Sequence, residues 1–182
     1  MKVVKTALEG LLVIHPDIYK DDRGYFYELY NKNTFKNNGL TLEFDQDNIS
    51  KSKKGTIRGL HYQRGSAAQV KLCKTIKGNV LDVAVDLRKN SPTFAKYFMI
   101  ELSEDNQIQL FIPKGFAHGF VVLSYEAIFH YKCSGIYKKD EERSIFYNDP
   151  ELCIKWPIDN PIVSPKDKKA PLLKDVPDED LF

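Results

Sequence analysis

The feature that most restricts this chain is a run of short alternating segments with no helical period between them. In Asn79–Leu87, Leu81, Val83, Val85 and Leu87 fall on one side and Asp82, Ala84 and Asp86 on the other, which is the two-residue period of a strand. Val70–Ile76 leads into it through Lys77-Gly78. Phe94–Leu102, Ile108–Ile112, Phe116–Leu123 and Ala127–Cys133 follow, parted by turn-rich pieces such as Arg88–Thr93 and Ser103–Asn106. The crossover helices of a parallel α/β fold have no room in this series, so the expected architecture is all-β, a double-sheet jelly-roll barrel. With 182 residues, the chain is expected to form one domain over 1–182 and can bury a substantial core without staples.

The flanking segments are less regular. Asp21-Asp22-Arg23-Gly24 signals a turn, Gly24–Tyr30 is expected as a strand, Asn33–Gly39 as a short helix ended by Gly39, and Lys51–Lys54 as a solvated basic loop. Leu42–Ile49 is ambiguous and carries the polar cluster Gln46-Asp47-Asn48. Beyond Asp149-Pro150 the chain turns rich in proline and lysine, so a tail wrapping the barrel is expected.

Charge narrows the partners. The 27 basic and 25 acidic residues are well mixed and give a net charge of +2, which leaves no electrostatic footprint for nucleic acid or an acidic membrane. Lys5 and Glu9 interrupt the apolar N-terminus, and no later run approaches a membrane span, so a cytoplasmic location is expected. Cys73, Cys133 and Cys153 are too scattered for a zinc site or a disulfide framework, and each is expected as a small core residue.

The chemistry concentrates in Gly55–Lys71, GTIRGLHYQRGSAAQVK. Arg58 and His61 have opposite parity in a regular strand, so both serve one pocket only if the strand is irregular near Gly59. A second histidine, His118, follows the turn Pro113-Lys114-Gly115. A metal reading needs a third ligand; the position two after His61 is Gln63, and His130 alternates with Tyr131, so only one of that pair faces inward. Without a metal, the available chemistry is proton transfer, and an acid and a base on opposite sides of a carbonyl-activated carbon suit epimerisation. Lys71 and Arg58 can supply a cation for the enolate oxygen. Asp167 is the candidate partner of His61, although Ser164-Pro165-Lys166-Asp167 reads equally well as a helix N-cap.

Together these residues resemble the dTDP-4-dehydrorhamnose 3,5-epimerases of the cupin superfamily. The resemblance rests on Ile57–Gln63, Val70-Lys71-Leu72, Asp82–Arg88, Ser91–Phe94, Ile112–Phe120, Tyr131-Lys132-Cys133 and Ile154–Pro157, in consistent order over residues 5–175. It implies a cupin jelly-roll (double-stranded β-helix) and an isomerase that works without cofactor or metal. Such an enzyme inverts C3 and C5 of dTDP-4-dehydro-6-deoxy-D-glucose, both flanking the C4 ketone, in dTDP-rhamnose biosynthesis for cell-surface polysaccharide. By resemblance His61 is the base, paired with Asp167, Tyr131 the opposing acid and Lys71 the enolate stabiliser. The implied substrate contacts are Arg23, Glu28, Gln46, Asn48, Arg58, Lys71, His118, Tyr137, Glu142 (with Glu141 beside it) and Lys166. The resemblance further implies a homodimer in which the N-terminal strand region of one subunit, with Arg23 and Glu28, completes its neighbour's site. The chain departs from the family at Ser134-Gly135-Ile136-Tyr137 and Arg64-Gly65-Ser66-Ala67. Epimerisation of another nucleotide-linked 4-keto-6-deoxy sugar, at one carbon only, and a non-catalytic nucleotide-sugar-binding cupin are the alternatives.

Overall fold

A computed structural model describes residues 1–182. In chain order the elements are β1 (Lys2–Lys5), β2 (Leu12–His15), β3 (Tyr19–Asp21), β4 (Gly24–Phe26), α1 (Lys32–Asn37), β5 (Gln46–Lys53), β6 (Thr56–Gln63), β7 (Lys71–Lys77) and β8 (Asn79–Asp86). Then follow β9 (Tyr97–Ser103), β10 (Gln109–Ile112), β11 (Phe116–Val122), β12 (Glu126–Cys133), β13 (Glu142–Ser144), β14 (Ile162–Val163) and α2 (Pro165–Lys168). One sheet runs β1-β2-β10-β7-β12-β5 and the other β13-β6-β11-β8-β9, with β14 added in parallel beside the first half of β6. This is the expected jelly roll. No helix is long and apolar enough to cross a membrane.

The space between the sheets is filled from both sides. Cys73, Leu110 and Ile112 of the first sheet meet Val80, Ala84, Phe116 and Phe120 of the second, with the Phe120 and Phe129 rings stacked 4.2 Å apart. The outer faces are covered as well. Val83, Val85 and Leu87 pack beneath Leu152, Ile154, Leu173 and Val176, with Leu181 and Phe182 alongside, so the tail does wrap the barrel. Phe35 of α1 and Leu40 cover Leu72 and Phe111 on the other sheet. Both faces of β8 are therefore buried, which is why its alternation alone does not say which side looks into the barrel.

Four local expectations are corrected. Lys51–Lys53 belong to β5 rather than a basic loop, because they pair with β12 and Lys51 meets Glu126 at 2.8 Å. The strand expected over Gly24–Tyr30 ends at Phe26; beyond it the chain docks on the first sheet, where Gln109 Nε2 donates to Leu29 O and the Tyr27 ring lies 4.8 Å from Lys74 Nζ. Cys153 is exposed, whereas Cys73 and Cys133 are buried as expected. The helix near Asn33 starts one residue early, at Lys32, because the Asn31 side chain accepts from the N–H groups of Asn33 and Thr34.

Candidate active site

The irregularity demanded by Arg58 and His61 is present on β6. Across the β6–β11 pairing His61 faces His118 and Arg58 faces Phe120, so three steps on β6 match two on β11. The extra residue reverses parity, and both side chains line one cavity of about 380 Å³. Only glycine fits here: a Cβ on Gly59 (φ +136°) would lie 2.6 Å from the Gly119 Cα, and one on Gly119 would lie 2.7 Å from the Arg58 carbonyl oxygen.

His61 and Asp167 come together. His61 Nε2 lies 2.6 Å from Asp167 Oδ1, and Asp167 N–H donates to Ser164 Oγ at 3.1 Å, so one residue serves as both helix N3 and histidine partner. Burial works to raise the Asp167 carboxyl, but His61, Ser164 and a backbone N–H from Gly59 together hold it below the usual carboxylate range. With Nε2 occupied, Nδ1 is the His61 nitrogen without a hydrogen bond inside the protein.

Lys71 and Tyr131 line the same cavity. Lys71 Nζ donates to the His61 carbonyl at 3.3 Å and stands 6.0 Å from the centre of the Tyr131 ring. Burial, chiefly, pushes the Tyr131 hydroxyl up to about 12, so it holds its proton at neutral pH. His130 takes the opposite face of β12 and binds Asp47 at 2.8 Å, as the alternation required.

Gln46, Asn48, His118, Tyr137 and Glu142 complete the expected lining. Glu142, not Glu141, reaches the cavity; it accepts from Tyr137 Oη at 2.9 Å and from Lys166 Nζ, while Glu141 pairs with Arg64 at 2.8 Å. Burial opposes ionisation of Glu142, and those two hydrogen bonds outweigh it to lower its pKa. Lys166 itself lines an adjoining hollow of about 430 Å³, together with Arg58, His61 and Asp167. Arg23 and Glu28 are not brought to this cavity within the chain: Arg23 is exposed and paired with Asp21 at 2.6 Å, and Glu28 binds Asn31 and Thr34.

Sequence reasoning missed Asp82. Its carboxylate is fully buried and takes His118 Nε2 at 2.9 and 3.0 Å, with Cys73 Sγ 3.7 Å from the same nitrogen. The cavity is thus lined by two histidines on strand positions that face each other, each backed by an aspartate. Cys73, Asp82 and His118 are also the one trio of potential metal ligands close enough to share an ion. The three side chains form a cluster around His118 Nε2, in which burial pushes the Cys73 thiol up. Gln63, in the position where a further histidine would ligate, instead exchanges two hydrogen bonds with the Lys138 backbone, at 3.1 and 3.0 Å.

A sequence model of the dTDP-4-dehydrorhamnose 3,5-epimerases matches residues 5–175. The chain belongs to this family. It is 50% identical to the dTDP-4-dehydrorhamnose 3,5-epimerase of Salmonella typhimurium over 175 residues, 95% of this chain and 96% of that one. Among solved structures, the family enzyme of Elizabethkingia anophelis superposes with a TM-score of 0.92 at 52% identity, covering 96% of this chain and 97% of the other. The dTDP-6-deoxy-D-glucose-3,5-epimerase of Legionella pneumophila, solved with dTDP-4-keto-L-rhamnose, superposes with a TM-score of 0.95 at 46% identity, covering 99% and 96%. The match spans every strand that contributes to the cavity, so the family assignment and the site rest on the same residues.

Proposed function

We propose that this chain is a dTDP-4-dehydrorhamnose 3,5-epimerase, inverting C3 and C5 of dTDP-4-dehydro-6-deoxy-D-glucose to give dTDP-4-dehydro-L-rhamnose. The observation that carries the reading is His61 lining one cavity with Lys71 and Tyr131 while Asp167 backs it at 2.6 Å from outside that cavity. The C4 ketone acidifies the hydrogens on both neighbouring carbons. His61 Nδ1 removes one of them as a proton, the electron pair moves into the C–C bond, and the ketone oxygen becomes an enolate oxygen beside the Lys71 ammonium. Asp167 holds the imidazolium that forms. Tyr131 then delivers its proton to the opposite face of the same carbon, the carbonyl is restored, and solvent resets both groups before the second carbon reacts.

Arg58 and Lys166 suit the diphosphate, as charged donors beside the dyad. Gln46, Asn48, Tyr137 and Glu142 suit the nucleoside end. In this reading the enzyme acts in the cytoplasm, as a homodimer whose N-terminal strand region brings Arg23 and Glu28 to the partner's cavity. Loss of activity in R23A, restored when R23A and H61A subunits are mixed, is the expected result for a shared site.

The test is turnover of dTDP-4-dehydro-6-deoxy-D-glucose in heavy water, followed by NMR. Deuterium at both C3 and C5 with inversion is expected. Exchange at one carbon only would assign a single-carbon epimerase, and binding without exchange at either would assign the non-catalytic alternative.

A further inference from the structure

Asp82 has no place in the mechanism above, yet its burial needs a reason. It lies on β8, register-paired with Phe120 on one side and Ile100 on the other, between the inward-facing Val80 and Ala84. A carboxylate in such surroundings is costly unless it is fully paired. Its one hydrogen-bond partner is His118, whose Nε2 sits against both carboxylate oxygens. The pairing fixes the imidazole. A carboxylate only accepts, so the Nε2 proton stays between the two residues, and Nδ1, which makes no hydrogen bond within the protein, is left with its lone pair on a side chain that lines the cavity. The other groups around His118 leave that arrangement in place: the buried Cys73 thiol touches the same Nε2, Phe129 stacks on the ring, and Lys71 and His61 stand near enough to oppose a charge on it. Burial acts in the same direction and keeps His118 neutral.

Among the polar groups lining the cavity, Lys71, Arg58 and Tyr131 offer protons, Glu142 already accepts from Tyr137 and Lys166, and His61 is the base of the proposed mechanism. A second bare ring nitrogen, on His118, adds an acceptor that takes no part in the proton transfer. Resting on the epimerase reading, we propose that Asp82 is a positioning residue: by taking the Nε2–H of His118 it presents Nδ1 as the acceptor for a hydroxyl of the sugar ring, orienting the ring for proton removal at His61.

The experiment separates this from a packing role. Nitrogen-15 NMR of histidine-labelled enzyme is expected to show His118 as the Nε2–H tautomer. In D82N the new amide donates to Nε2 and drives the proton to Nδ1, so a donor faces the hydroxyl; the same carboxylate-to-amide change in the Ser-His-Asp triad leaves geometry intact and spoils the tautomer. The expected loss is about 10- to 100-fold in kcat/KM, the range for one buried hydrogen bond turned against its partner. H118Q is expected to lose a similar amount, and D82N/H118Q to be no worse than H118Q alone. Multiplying losses in the double variant would overturn the inference. So would the Nδ1–H tautomer in active wild-type enzyme, which would leave the epimerase reading standing, and that measurement does not depend on D82N folding.

Discussion

Replacing Asp167 with asparagine tests the dyad where its geometry is best defined. The carboxylate sits 2.6 Å from His61 Nε2, with the Asp167 side chain only 5% exposed and that of His61 32% exposed. Proton removal from the sugar turns His61 into an imidazolium, and the negative partner stabilises that charge. With charge centres about 4 Å apart and an effective dielectric of about 20, the interaction is worth about 4 kcal/mol. The partial exposure of His61 trims this to about 3 kcal/mol, which is roughly two decades of kcat. An amide at 167 adds a second penalty, because its N–H competes for Nε2 and favours protonation at Nδ1, the nitrogen meant to act as base. D167N is therefore expected to lower kcat by about 10²- to 10³-fold, within the range for general-base groups. Binding of dTDP should stay within about threefold, since Asp167 hydrogen-bonds His61 and Ser164 and neither of the proposed diphosphate donors, Arg58 and Lys166. The assay is loss of the C3 and C5 proton signals in heavy water, with dTDP affinity measured alongside. A kcat within threefold of wild type would refute the assignment of His61 as an Asp167-supported base.

Three further outcomes follow from single side chains. In Y131F, exchange of the sugar protons with heavy water should persist while inversion falls by at least about 10²-fold, because the base survives and only delivery from the opposite face is lost; equal losses of exchange and inversion would count against the acid role. D86N should destabilise by about 2 kcal/mol at pH 7: burial disfavours the Asp86 charge, but Arg88, Ser91 and Thr93 bring its pKa from 3.8 down to about 2. That contribution is present above the unfolded pKa and disappears as pH falls to about 2, so denaturation curves of D86N and wild type should converge there. Lys74 behaves oppositely: it is fully buried against Gln107 and Tyr27, and burial draws its pKa from 10.5 to about 8. The folded state holds this proton less tightly than the unfolded one, so wild type should gain stability relative to K74M as pH rises from 8 toward 10.5, which paired denaturation curves would read.

Much of this was legible in the alternation of the strands. β7, β8 and β10–β12 fall where the two-residue period puts them, and the parity conflict between Arg58 and His61 correctly implied a bulge at Gly59. β5 was hidden because its exposed lysines belong to a strand whose partner, β12, lies far off in sequence, where Lys51 pairs with Glu126. Asp82 was hidden for a different reason. Its face was readable, but the tail buries the opposite face of β8 as well, and only the assembled barrel shows which face meets His118. Asp86, on the same face of the strand, hydrogen-bonds Arg88, Ser91 and Thr93 and so builds the turn after β8. Arg23 and Glu28 point to a limit of another kind, since the role assigned to them needs a second chain.

The two His–Asp pairs show how one set of side chains acquires two roles. His61 and His118 sit opposite each other on neighbouring strands, each with a carboxylate on Nε2. What differs is access to water. The His61 side chain is 32% exposed and also borders the hollow lined by Lys166, whereas the His118 side chain is 7% exposed and stacks on Phe129. In the proposed mechanism His61 must take a proton and surrender it to solvent twice per turnover, which needs the first environment. An acceptor that must stay neutral and fixed needs the second, and burial there holds the pKa of His118 down. Exchanging those environments, rather than the residues, is what would exchange their functions.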